Sequence, residues 1–170
     1  SILGGSFAFG KKWGYQTFLT LSAGYQELSV PDKYKDATLS KTGKDKLPSL
    51  GLSFRYDTRD LYHYPSKGIR LDLYSIKTGF SNTIHYNKHG VDFRFYVPLY
   101  KKIIFAGRSA TDISDGLLPI YGKTYLGYSE RIRGYFETRR EGDNRAMLGA
   151  ELRFPILPIR YFNLGNQQTA

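Results

Sequence analysis

Apolar and polar side chains alternate along most of this chain, and a period of two predicts strands. In Ile69-Arg-Leu-Asp-Leu-Tyr74, the residues Ile69, Leu71 and Leu73 share one face, and Arg70, Asp72 and Tyr74 share the other. Val91, Phe93, Phe95 and Val97 stand opposite Asp92, Arg94 and Tyr96. Leu50, Leu52, Phe54 and Tyr56 stand opposite Gly51, Ser53, Arg55 and Asp57. Leu148, Ala150, Leu152, Phe154 and Ile156 stand opposite Gly149, Glu151 and Arg153. Such one-sided strands exclude a parallel sheet buried on both faces, whose strands would read as unbroken apolar runs. Alternation alone does not choose between a half-exposed soluble sheet and a sheet in lipid.

Turn signals place strands near 2–10, 14–27, 48–58, 68–80, 83–98, 102–111 and 145–156, with a weaker segment after 158. Several exceed the usual five or six or so residues and match the roughly 9–11 of a tilted membrane-crossing strand. The connections sort by length. Short ones fall at Gly10–Gly14, Arg59–Lys67, Pro98–Lys102 and Pro155–Pro158. On the other side come Leu28–Leu47, the tight Ser81-Asn82 and the very long Asp112–Asn144. Short turns on one side and long loops on the other is the organisation of outer-membrane barrels. Tyrosines and the single tryptophan gather at strand ends and turns, among them Trp13, Tyr15, Tyr25, Tyr62, Tyr64 and Tyr100, where an amphipathic ring suits the headgroup level.

Composition changes this picture in two places. A formal charge of +10 calls for an explanation, but the basic residues are dispersed and many lie at alternate strand positions. That reads as a solvated surface or lumen rather than a nucleic-acid face. No apolar run reaches the roughly 20 residues of a membrane-spanning helix, and the chain has no cysteine. No signal-peptide pattern opens the chain; Ser1-Ile-Leu-Gly-Gly reads as the middle of a strand, so the segment is expected to be a truncated part of a larger barrel.

Three segments carry more specific information. Tyr56-Asp-Thr-Arg-Asp60 followed by Pro65-Ser-Lys-Gly68 forms a turn in which Asp57, Arg59 and Asp60 can cross-link while Pro65 and Gly68 set the backbone. Its plainest reading is a turn held by surface charges. Ile132-Arg133-Gly134-Tyr135 is a basic, glycine-hinged tip inside the long loop. Glu151-Leu-Arg-Phe-Pro-Ile156 is a strand that ends at a proline, which cannot donate to a ladder.

Together these segments resemble the bacterial outer-membrane assembly and translocation barrels, the BamA/TamA-type "bacterial surface antigen" superfamily. The resemblance covers most of residues 48–158. It implies an all-β fold, an antiparallel meander supplying about seven or eight strands of a barrel of about sixteen. It also implies a lid loop that folds into the lumen, where Arg133 meets an acidic group on the inner wall. The family's acid stands in an F-x-D-x-G pattern, whose best match here is Tyr161-Phe-Asn-Leu-Gly165, with Asn163 in place of aspartate. The candidate partners of Arg133 are therefore Glu151, Asp72, Asp92 and Asn163. Truncation before the true motif would explain the departure.

The segments that mimic catalytic motifs do not complete them. Gly122-Lys-Thr124 ends like a phosphate-binding loop, yet Leu117 occupies the position that requires glycine. His85 and His89 have helical ligand spacing within a strand-rich segment, and Asp112 and Asp115 read as solubilising loop residues. We expect no enzyme activity and no cofactor. The leading expectation is an assembly factor or translocation pore of the bacterial outer membrane. Its expected partners are outer-membrane lipid and lipopolysaccharide, client polypeptides, the remaining barrel strands and periplasmic modules; nucleic acid is not among them. A soluble ligand-binding β-barrel is the second reading, and a basic nucleic-acid-binding barrel with aromatic stacking platforms is the third.

Overall fold

The computed structural model describes residues 1–81, 83–100, 102–126, 140–154, 162–164 and 167–169, with the last two segments described by backbone path only. Its strands are β1 (Ile2–Trp13), β2 (Thr17–Ser29), β3 (Lys44–Asp57), β4 (Gly68–Thr78), β5 (Tyr86–Tyr100), β6 (Ile103–Gly116), β7 (Thr124–Leu126), β8 (Arg140–Gly142), β9 (Arg145–Arg153), β10 (Phe162–Leu164) and β11 (Gln167–Thr169). Seven of them form one antiparallel sheet in the order β1-β2-β3-β4-β5-β6-β9. β7 pairs with β8, and β10 with β11, as separate two-stranded sheets. This is the expected meander, of the kind that forms part of a β-barrel.

The alternation dictates the faces. Because the period is two, the register carries one face of each strand onto the same face of the next. Arg70 stands opposite Arg94, Arg94 opposite Arg108, and Asp72 opposite Asp92. Ile69 stands opposite Phe95 and Leu71 opposite Phe93, while Leu152 faces Phe105. The apolar side is left open: Leu148 is 85% exposed and Phe7 73%. The small buried cluster Tyr96, Ile104 and Ala106 lies on the other face, near the short-turn end.

Several boundaries move outward from the sequence expectation. β1 continues through Lys11 to Trp13, and β3 begins at Lys44 rather than 48. β6 runs to Gly116, so Asp112 and Asp115 are strand residues rather than loop solubilisers. Cross-strand pairing of Asp112 with Gly90 and with Arg145 is the physical reason. The connection after β6 holds a 3-10 turn at Ile120–Gly122 and the small β7–β8 hairpin. Residues 30–43, 79–85 and the segment after Gly116 leave the sheet on one side. The turns at 14–16 and 58–67 and the link from β5 to β6 leave on the other, so the two long loops share a side as expected.

Candidate functional site

A ladder of ion pairs runs across the polar face. Arg55 on β3 and Arg70 on β4 donate through Nε to the two oxygens of Asp72, each at 2.5 Å. One strand further, Asp92 on β5 accepts two bonds from each of two arginines. Arg94 donates from Nε at 3.0 Å and Nη2 at 2.7 Å. Arg108, on β6, donates from the same pair of nitrogens at 3.1 and 2.6 Å. A guanidinium presents its N–H groups as a planar fork that fits both carboxylate oxygens, and the alternation delivers these side chains to one side. The side chains of Asp72 and Asp92 are about one-fifth exposed, 22% and 20%, so these pairs are partly withdrawn from water.

The next rung depends on a missing side chain. Tyr74 of β4 donates its hydroxyl to Asp112 Oδ1 at 2.6 Å, reaching over β5 to β6. A Cβ on the intervening Gly90 would lie 2.0 Å from the Tyr74 ring, so only glycine leaves that path open. Asp112 also pairs with Arg145 of β9, which extends the ladder to a further strand. The ladder borders a cleft of about 360 Å³.

Both ends of this face are covered. At the long-loop end Asp45 is fully buried and accepts bonds from the Leu39 amide at 2.8 Å, the Ser40 amide at 2.9 Å and the Tyr121 hydroxyl at 2.6 Å. One carboxylate thereby fastens loop 30–43 and the connection after β6 to β3. Burial, and then the hydrogen bond to Asp45, push the Tyr121 hydroxyl well above the ordinary tyrosine range. At the short-turn end, Arg59 folds inward. Its side chain is 5% exposed, it grips Asp57 through Nε at 2.8 Å and Nη2 at 2.7 Å, and it donates from Nη1 to the Tyr62 carbonyl at 3.3 Å. Arg153 of β9 lies over the rings of both Tyr96 and Tyr64, at 5.3 and 5.5 Å. Turn 58–67 therefore spans the end of the face from β4 to β9.

The remaining turn residues have local duties. Asp60 caps the turn, accepting from the amides of Leu61, Ser66 and Lys67 and from the Ser66 hydroxyl. The hydroxyl bond foremost, with the amides, holds its carboxyl down at about 2. Pro65 is buried, and Gly68 has φ +106°, with Thr58 O at 2.5 Å from where a Cβ would stand.

The expected site residues divide by position. Asp72 and Asp92 lie inside the ladder, and Glu151 projects from the same face of β9, bonded to Arg153 at 2.9 Å. Ile132, Arg133, Gly134 and Tyr135 lie outside the described residues. Asn163 belongs to β10, which pairs with β11 and not with β9. Sequence reasoning missed Tyr74, Asp112 and Arg145 as one group, and Asp45 with Tyr121. Gly90 was the available signal, an isolated glycine between polar-face residues in mid-strand.

Comparison with known proteins decides the family. The model of the Omp85 superfamily domain matches residues 2–167. The chain belongs to the Omp85 superfamily. Its fold is similar to the crystal structure of BamA from Haemophilus ducreyi lacking POTRA domains 1-3, with a TM-score of 0.70 at 16% identity. That match covers 94% of this chain and 38% of that one, so the chain spans well under half of the BamA chain it resembles. No curated protein matches it. Membership in this superfamily agrees with the family resemblance of the motifs at superfamily level.

Proposed function

We propose that this Omp85 domain is a segment of a bacterial outer-membrane barrel that assembles outer-membrane proteins or translocates polypeptide. The observation that carries the reading is the sorting of the two faces along the middle of the sheet. There one face is largely apolar and left exposed, and the other holds successive arginine–aspartate groups. Lipid suits the first face and a wet lumen the second, since a sheet satisfies its backbone within a bilayer only as a closed barrel. Ile69, Leu71, Phe93, Phe95, Leu152 and Phe154 then face lipid. Arg70, Asp72, Asp92, Arg94, Glu151 and Arg153 face the lumen, and the long loops lie outside the cell. Residues 1–170 form one partial barrel domain with the lid in the connection between β6 and β9, residues 117–144. The remaining strands, periplasmic modules, client polypeptides, surrounding lipid and lipopolysaccharide complete the working assembly.

In this reading the tip Ile132-Arg133-Gly134-Tyr135 enters the lumen and Arg133 bonds an acid there. Of the candidates, Asp72 and Asp92 each already serve two arginines, whereas among the described residues Glu151 pairs with Arg153. Glu151 thus retains the most capacity to accept a further fork. The test uses the full-length protein in membranes. Spin labels at Phe93 and Arg94 should report lipid and water respectively, and Arg133→Ala should impair client assembly while the barrel still inserts. Equal accessibility at 93 and 94 would remove the barrel reading; normal client handling by Arg133→Ala would remove the lid.

A further inference from the structure

The apolar face, opposite the ladder, has lysines at its long-loop end. Asp45 is fully buried against loop 30–43 and Tyr121, so the flanking Lys44 and Lys46 point to the other side, the side of Leu50 and Leu52. Both lysines are exposed. Register brings Lys77 of β4 opposite Leu50, exposed on the same face. The ion pairs among the described residues leave these three lysines out. The neighbouring acids are few: Glu27 stands opposite Lys46, and loop 30–43 brings Asp32 and Asp36 together with Lys33, Lys35 and Lys41. Beyond Lys77 the row continues through Asn87 on β5 to Asp115 on β6, so the cations of this rim belong to β3, β4 and the loop.

Their height on the barrel is informative. Residues 48–56 of β3 supply the roughly 9–11 residues of a tilted crossing strand. Leu50 and Leu52 lie within that stretch, each 50% exposed. Lys46 and Lys44 follow directly past it on the long-loop side. Aromatic rings flank the same level: Tyr25 stands opposite Pro48, and Phe80 lies with its ring 5.6 Å from the Lys77 ammonium. Lysine suits such a boundary, because its stem lies along apolar surface while the ammonium reaches the headgroups. We infer that Lys44, Lys46 and Lys77 form a binding surface for the phosphate groups of lipopolysaccharide in the outer leaflet. Lysine binds phosphate as a point charge, and the lipid of that leaflet carries its phosphates at this height. The inference rests on the proposed function, which sets the long loops outside the cell, and adds which residues meet the lipid there.

The test is binding of diphosphoryl lipid A to the full-length protein in detergent, followed by native mass spectrometry, with dephosphorylated lipid A and phosphatidylglycerol as comparators. Saturable binding of the diphosphoryl form is expected, with both comparators clearly weaker. Lys44→Gln, Lys46→Gln and Lys77→Gln should each weaken it about fivefold, the worth of one cation at an anionic lipid surface. All three side chains are exposed, so these variants should fold. Lys11→Gln, at the short-turn end of the same face, should leave binding unchanged. Glu27→Gln should tighten it, because it removes the carboxylate opposite Lys46. Equal binding of phosphatidylglycerol, affinity unchanged in the three lysine variants, or an equal loss in Lys11→Gln overturns the inference. Equal environments for the spin labels at 93 and 94 would refute the proposed function, and this surface with it. A barrel that passes the label test yet binds lipid A independently of these lysines refutes this surface alone.

Discussion

The polar face differs between its two halves. Over β1, β2 and the middle of β3 it carries Ser6, Ala8, Thr20, Ser22, Ser49 and Ser53, small and uncharged. Over β4, β5, β6 and β9 the same face carries the arginine–aspartate ladder. Among the described residues, cross-strand side-chain bonding on the first half reduces to the Ser22 hydroxyl donating to the Gly51 carbonyl at 3.4 Å. On the second half, side chains tie β3 to β4, β4 to β6, β5 to β6 and β6 to β9. A backbone ladder of one kind thus supports two different walls. One is lined by small uncharged side chains, and the other is cross-braced by partly desolvated charge, where removal of a partner leaves a costly orphan.

Substitution of the glycines that aromatic rings cross should expose the contrast most strongly. Gly90→Val drives Tyr74 away from Asp112 and should destabilise by about 3 kcal/mol, from overpacking plus a lost bond to a charged group. Gly10 has the same arrangement in the neutral half, with the Phe18 ring 2.5 Å from where a Cβ would sit. Phe18 is partly exposed and bonds to nothing charged, so Gly10→Val should cost about 1 kcal/mol. Denaturant unfolding of the detergent-folded protein measures both, and equal losses would break the comparison.

A smaller effect is expected where the loops join the neutral half. Tyr121→Phe deprives buried Asp45 of one of its three donors and should cost about 1–2 kcal/mol. Hydrogen exchange at the Leu39 and Ser40 amides should quicken while that at β5 and β6 stays unchanged. Simultaneous quickening everywhere would show that the caps and the ladder are one cooperative unit.

The smallest effect belongs to the short-turn end. Asp60 is held at about 2, below its ordinary 3.8, so the folded state favours the ionised form. Its contribution to stability is complete above pH 3.8 and disappears as pH falls through about 2. Solvent screening keeps the amount small. An NMR titration of the Asp60 carboxyl should give the low midpoint, and Asp60→Asn should flatten that part of the stability curve. A midpoint near 3.8 would reduce the cap to an incidental contact.

The fold was legible because alternation and loop lengths are local signals. Ile69 to Tyr74 and Val91 to Val97 already assign their faces, and the register follows from matching those faces. The ladder was partly legible: Asp72 and Asp92 stood among the candidate acids, but which arginines they hold depends on strand order. Asp112 escaped because the pattern weakens near the strand end, where Ser114, Asp115 and Gly116 look like a turn. Asp45 and Tyr121 lie 76 residues apart, and no periodicity connects them.

That separation has a kinetic consequence. Every neighbouring pair from β1 to β6 is joined by a short or moderate connection and can zip as successive hairpins, whereas the Asp45–Tyr121 contact must close a span of 76 residues. The entropy of closing a long loop is lost before its contact is gained, so this bond forms after the hairpins it bridges. A fluorescent reporter beside Tyr121 would therefore act as a clock for the last step of maturation, lagging behind the appearance of sheet.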